Sequence, residues 1–174
     1  AKAKVPEPLL NTPEDQYNKV EKYKLASNDL RDPLGPEAHD LEEAGIGAEA
    51  EQIAKSHGIY LEYNRALTGR EKDWMYMVRV TCPGGGSFTR EQWHVFDQLA
   101  DKYCDHNPYG SPSLRLTTRQ NIQYHWLKKD NLINLVHDLA QTGYYALNGC
   151  GDNARNVMAC PVSHFNGVYD ANAL

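Results

Sequence analysis

From Trp74 onward, apolar runs and polar breaks follow one another at short intervals, whereas the first seventy residues show no such regularity. The run WMYMVRV, residues 74 to 80, is dense in aromatic and β-branched side chains and predicts a buried strand. CPGGGSF follows as a loop, because Pro83 removes a donor and three glycines free the backbone. In TREQWHVFDQLADKYC, Thr89 and Gln92 have the spacing of a capping box. Trp93, Phe96, Leu99, Ala100 and Tyr103 then recur at helical spacing, which predicts an amphipathic helix with one face on a sheet. LRLTTRQNIQYHWL, residues 114 to 127, reads as one or two strands bent near Thr118. KDNLINLVHDLAQTG predicts a second helix, capped by Asp130 or Asn131, with Leu132, Leu135, Val136 and Leu139 inside and Gly143 as the stop. YYAL, residues 144 to 147, is the candidate closing strand.

The resulting order is strand, helix, strand, strand, helix, strand. It predicts an α+β fold with a ferredoxin-like, split βαβ half-domain over residues 73–147. Upstream, AKAKVPEPLLNTP holds three prolines and reads as an extended arm, residues 14–30 read as helix-like and polar, and residues 31–63 alternate short helical pieces with Pro and Gly breakers. Residues 1–72 are therefore expected to form a helical and extended segment wrapped over the neighbouring core. Residues 148–174 are expected to open a second α/β domain.

Lys and Arg number 18 against 23 Asp and Glu, a formal net charge of −5. That balance argues against a general nucleic-acid or membrane-surface binder. Residues 111–160 reverse it, with five basic residues against three acidic ones, which suggests a small anionic ligand. No apolar run is long enough to span a bilayer, and no signal-peptide core opens the chain, so a cytoplasmic location is expected. Cys82, Cys104, Cys150 and Cys160 contain no C-x-x-C pair and read as reduced, mostly structural thiols.

The polar positions between 114 and 126 change the picture most. Arg115, Thr117, Arg119, Asn121, Gln123 and His125 alternate with apolar residues, so a continuous strand would present all six on one face. Leu114, Leu116, Ile122, Tyr124 and Trp126 would take the other face and pack on the helices. A solvated sheet face usually mixes charge signs, but here two arginines stand without an acid. Arginine suits carboxylates and oxyanions, since its planar fork donates bidentate bonds and stays charged. Four residues apart on a strand, the two would lie roughly 13 Å from each other, a span for a polycarboxylated macrocycle rather than one phosphate.

GCGDNARNVMACP, residues 149 to 161, is the second unusual stretch. Asp152 or Asn153 is positioned to cap a helix beginning near Ala154, which would put Arg155 in the first turn beside free N–H groups. His39, His57, His94, His106, His137 and His164 have no paired metal-ligand spacing, and PGGG lacks the lysine of a P-loop.

LRLTTRQNIQYHW together with GCGDNARNVMACP resembles the siroheme-dependent sulfite and nitrite reductases. SNDLRDPL, KSHGIYLEYNR and MVRVTCPGG look like the N-terminal extension and first strand of the same enzymes, so the similarity runs from about residue 20 to about 170. The resemblance implies a siroheme joined to a [4Fe–4S] cluster, with sulfite reduced to sulfide or nitrite to ammonia, and an electron donor such as ferredoxin or a flavoprotein. It implies that Arg79, Arg115, Thr117, Arg119, Gln123, His125 and Asn153 face siroheme and that Arg155 binds and acts on the substrate. Thr81 occupies a substrate-side position where the family often has a basic residue. The family's cluster cysteines and substrate lysines lie in a C-terminal half beyond residue 174. This segment alone is thus expected to be inactive and to need that half as partner, with no nucleic acid or membrane involved. A tetrapyrrole-biosynthetic oxygenase and a non-catalytic siroheme-binding or assembly subunit are the alternatives.

Overall fold

A computed structural model describes residues 12–67, 72–85, 87–149, 154–162 and 165. Three short helices lead the described chain: α1 (Lys19–Ala26), α2 (Leu34–His39) and α3 (Ala48–Ser56). They are followed by β1 (Ile59–Tyr63), β2 (Trp74–Val80), α4 (Arg90–Tyr103), β3 (Ser113–Leu116), β4 (Ile122–Leu127) and α5 (Lys129–Gln141). The four strands form one antiparallel sheet in the order β1-β2-β4-β3. This is the α+β, ferredoxin-like arrangement expected, with one substitution of parts. The strand beside β2 is β1, from upstream, not YYAL.

The reason is visible in the backbone bonds. Five registered pairs, Ile59 with Val78 through Tyr63 with Trp74, occupy the free edge of β2. Residues 144–147 cross the end of that strand instead: the Tyr145 carbonyl accepts from Thr81 N at 2.9 Å, and the Leu147 carbonyl from Thr81 Oγ1 at 2.7 Å. The sheet therefore draws its fourth strand from N-terminal to residue 73.

One sheet face and the helices enclose the core. Phe96, Leu99, Ala100 and Tyr103 of α4 and Leu132, Leu135 and Leu139 of α5 pack on Tyr76, Val78, Val80, Ile122, Tyr124 and Leu127. Each large apolar side chain buried there contributes about 1.5–3 kcal/mol. Leu34 and Ala38 of α2 and Ala50 and Ala54 of α3 extend the same cluster, so the N-terminal helices are part of the core. Thr89 and Gln92 form the expected capping box, and Gly143, at φ 83°, follows the end of α5. Trp93, however, is partly exposed and only meets Phe96 edge-on at 6.3 Å. The cap of α5 also differs: Lys128 takes the position, with no side-chain cap bond. The neighbouring Lys129 is buried, and its ammonium donates to the carbonyls of Glu43 (2.6 Å) and Gly45 (2.7 Å). That lysine ties the wrapping segment to the start of α5, satisfying a buried charge with two acceptors.

Two departures reshape the central motif. Residues 117–121 form a turn joining β3 to β4 as a hairpin, closed by Thr117 N to the Asn121 carbonyl at 2.9 Å. Thr117 Oγ1 accepts from the N–H groups of Arg119 (3.2 Å) and Asn121 (3.1 Å), while Gln120 adopts φ 60°. In β4 the register slips opposite Tyr76 and Val78, and Trp126 has φ 65°. This bulge turns Leu127, not Trp126, into the core; Trp126 instead meets Tyr109 edge-on at 6.1 Å. Leu116, at the hairpin end, is 71% exposed and is not core either. No helix among the described residues is long and apolar enough to cross a membrane.

Candidate functional site

The hairpin brings together what a continuous strand would have spread out. Gln123 is registered with Arg79 of β2 on one side and Arg115 of β3 on the other. Arg79, Gln123 and Arg115 thus form a row across three strands, on the face away from the helices. His125, two residues along β4, shares that face, as does Met77, whose Sδ lies 3.6 Å from the Gln123 carboxamide. Met75 and Met77 are buried yet stand outside the helix-side core.

Hydrogen bonding orients this row. With its carboxamide oxygen turned to the guanidinium, Gln123 accepts from Arg79 Nε at 2.8 Å and Nη2 at 2.5 Å. The carboxamide nitrogen then faces His125 Nε2, 3.4 Å away. A neutral imidazole with a free Nε2 lone pair can accept there. Burial, reinforced by the charges of Arg115 and Arg79, pushes the His125 pKa down to about 4, so the ring is neutral near pH 7. The two assignments support each other. The Tyr60 ring lies 5.8 Å from the Arg79 guanidinium carbon, within range of a cation–π contact.

Among the described residues, no carboxylate forms an ion pair with Arg79, Arg115 or Arg119. Arg115 and Arg119 are exposed, and Arg119 sits in the hairpin turn rather than on the strand face. The strand spacing between them is therefore replaced by a turn, with Arg115 beside Gln123 and Arg119 at the tip. Thr117 has its oxygen engaged by two backbone donors, and Asn121 is buried, its Oδ1 accepting from Cys82 N at 3.1 Å. Of the six alternate positions, Arg115, Gln123 and His125 share the sheet face, joined by Arg79.

The second stretch docks at the hairpin tip. Residues 154–160 are not helical, in contrast to the helix expected from Ala154. Their polar bonds go outward: Gly84 N donates to the Val157 carbonyl at 2.9 Å, and the Gln120 carboxamide both donates to and accepts from the Ala159 backbone (2.6 and 3.0 Å). Arg155 is exposed within this segment. Asn153 lies outside the described residues, as do Cys150 and His164. Thr81 uses its hydroxyl proton on Leu147, which leaves that oxygen only its acceptor capacity.

Sequence pattern had given no role to Tyr60, Met77, Gln120 or Asn156. Their roles arise from cross-strand register and a turn contact, which no local spacing encodes. Cys82 and Cys104 are buried, and burial pushes both thiols up, Cys104 to about 12, so they are poor thiolates. Among the described residues, no group of His, Cys, Asp and Glu is placed to hold a metal ion. An apolar groove of about 520 Å³ is lined by residues including Cys82, Pro83, Phe88, Tyr144 and Leu147, and by none of Arg79, Gln123 and Arg115.

Comparison with known proteins supplies the family. Residues 68–142 match the nitrite/sulfite reductase ferredoxin-like half domain. The sulfite reductase [NADPH] hemoprotein beta-component of Anoxybacillus flavithermus is 36% identical over 167 residues, covering 92% of this chain and 28% of that protein. That of a Paenibacillus species is 37% identical over 161 residues, with coverages of 89% and 26%. The chain thus spans little more than a quarter of the length of these relatives. The solved structure of the Mycobacterium tuberculosis NirA protein has the same fold, with a TM-score of 0.62 at 22% identity over 84% of this chain and 28% of that one. With this half domain and this similarity along nine-tenths of its length, the chain belongs to the nitrite and sulfite reductase family.

Proposed function

We propose that the chain is the N-terminal portion of a siroheme and [4Fe–4S] sulfite reductase, reducing sulfite to sulfide. The observation that carries this reading is the row Arg79–Gln123–Arg115, whose two guanidiniums share one sheet face with no paired carboxylate among the described residues. Arg79 is half-buried and Arg115 exposed; guanidiniums without a carboxylate partner are stabilised by an anion of matching fork geometry, and a tetrapyrrole bearing several carboxylates offers one to each.

In this reading Arg79 and Arg115 bind siroheme carboxylates, with Gln123 holding Arg79 in place and neutral His125 offering hydrogen bonds at the pocket edge. Thr117 and Arg119 serve the cofactor from the hairpin turn, and Asn153 serves it too. Siroheme, when bound, supplies the iron and the electron path to the substrate. Arg155 binds the oxyanion, offsetting its charge and presenting N–H donors to its oxygens. Thr81 offers the substrate side an acceptor only. Residues 1–72 wrap the core and lend β1 to its sheet, 73–147 form the rest of the half domain, and 148–174 open the domain that continues into a C-terminal half carrying the cluster. Sulfite is preferred to nitrite because the relatives at 36–37% identity are named sulfite reductases, and their [NADPH] designation favours a flavoprotein donor over ferredoxin. The setting is the cytoplasm.

Intact mass and visible absorption of the native polypeptide, followed by turnover with sulfite and nitrite, test this. A longer chain with siroheme absorbance and sulfide formation is expected. Faster ammonia formation from nitrite would reassign the substrate. Siroheme binding without turnover of either anion would leave a binding or assembly subunit.

A further inference from the structure

Three segments far apart in sequence meet at one side chain. Asn156 is 6% exposed, and its Nδ2 donates to the carbonyls of Cys82 and Arg119, each at 2.9 Å. Cys82 lies two residues past the end of β2, the strand that carries Arg79; Arg119 lies in the β3–β4 turn; and Asn156 directly follows Arg155. Asn121 takes the other polar group of Cys82, accepting its N–H at 3.1 Å. The Gln120 carboxamide makes its paired bonds to Ala159, three residues beyond Asn156. Gly85, at φ 80°, makes room for it, since a Cβ there would stand 2.8 Å from the Gln120 carboxamide. Asn156 Oδ1 is buried without a hydrogen-bond partner in the protein, so the position keeps a polar residue whose acceptor is idle. Its two donor bonds are what the site uses.

We propose that Asn156, assisted by Gln120, is a positioning residue that fixes Arg155 relative to the Arg79 and Arg119 elements, so that a small oxyanion and the macrocycle are held in one register. The inference rests on the reading of Arg155 as the substrate-facing group. The two donor bonds set the backbone immediately after Arg155 against both neighbouring elements. Gly84 N to the Val157 carbonyl and Gln120 to Ala159 then lock the following residues. An arginine on this anchored backbone meets its anion with less conformational freedom to lose.

Asn156→Asp tests it, because the carboxylate has the same shape and no donor. By hydrogen exchange on the 174-residue chain, protection of the Gly84 and Ala159 amides should fall about 10- to 100-fold, the loss of buried hydrogen bonds. The Cys104 amide, bonded to the Ala100 carbonyl in α4, should keep its protection. Unchanged protection at Gly84 and Ala159, or an equal fall at all three, overturns the clamp. Should Asn156→Asp not fold, Asn156→Ser retains one donor and Gln120→Glu loses only the Ala159 carbonyl bond; each should give a partial loss confined to the same amides. In the longer reductase, Asn156→Asp should raise KM for sulfite about tenfold at unchanged siroheme absorbance, and add nothing to Arg155→Ala. Additive effects of the two substitutions would overturn the positioning role. If the longer protein reduces neither anion, the enzymatic reading fails, while the exchange result still decides the clamp.

Discussion

Acidification should unfold this protein partly through one imidazole. His125 has its pKa pushed from 6.5 down to about 4, chiefly by burial and then by Arg115 and Arg79. The unfolded chain therefore takes up that proton first as the pH falls. Stability from this group is complete above about pH 6.5 and is lost as the pH drops towards 4. A difference of this size corresponds to about 3 kcal/mol in full, most of it gone by pH 4.5. Urea unfolding of the wild type and of His125→Gln from pH 7.5 to 4.5 measures it, since the other histidines and the carboxylates act equally in both. The wild-type curve should fall more steeply by about 2–3 kcal/mol. An NMR titration of the ring should place its midpoint far below 6.5, and Arg115→Ala should move it upward. Parallel stability curves, or a midpoint near 6.5, would refute the buried, cation-flanked imidazole and with it the Gln123 orientation.

Two further outcomes follow from backbone geometry. Gly58 has φ 73°, and a Cβ there would stand 2.2 Å from the Ala146 carbonyl oxygen and 2.8 Å from that of Arg79. Gly58→Ala should cost at least about 2 kcal/mol in chemical denaturation, combining left-handed strain with a backbone clash; a change under half that would show that the 56–58 turn relaxes freely. Thr89→Ala removes the capping box of α4 and should lower stability by about 1 kcal/mol in the same assay, while Arg90→Ala, one residue on and exposed, should change it little.

How far the chain could be read in advance depended on whether a signal was local. Strand β2, the capping box at Thr89 and the inner stripes of α4 and α5 follow from composition and periodicity within one element. The role of β1 did not: IYLEY is short and follows a helix, and its place was decided by competition for the β2 edge, which Tyr144 to Leu147 lost when Thr81 drew that segment across the strand end. The central motif was half legible. Alternation correctly grouped Arg115, Gln123 and His125, but the turn at Thr117–Asn121 contains no glycine or proline and closes through a threonine hydroxyl. The Trp126 bulge likewise has no signature in its residue type. Residues 154–160 lost their expected helix because their polar partners lie on the Gly84 and Gln120 loops, contacts that only the folded chain creates.

The arginine row is tested most directly by siroheme occupancy. Visible absorbance per polypeptide should be compared between the full-length protein and its Arg115→Glu variant, in which a carboxylate replaces the exposed guanidinium beside Gln123. Binding of the tetrapyrrole by this face predicts a loss of most of the absorbance with folding intact by circular dichroism. Full absorbance in the folded variant would contradict it.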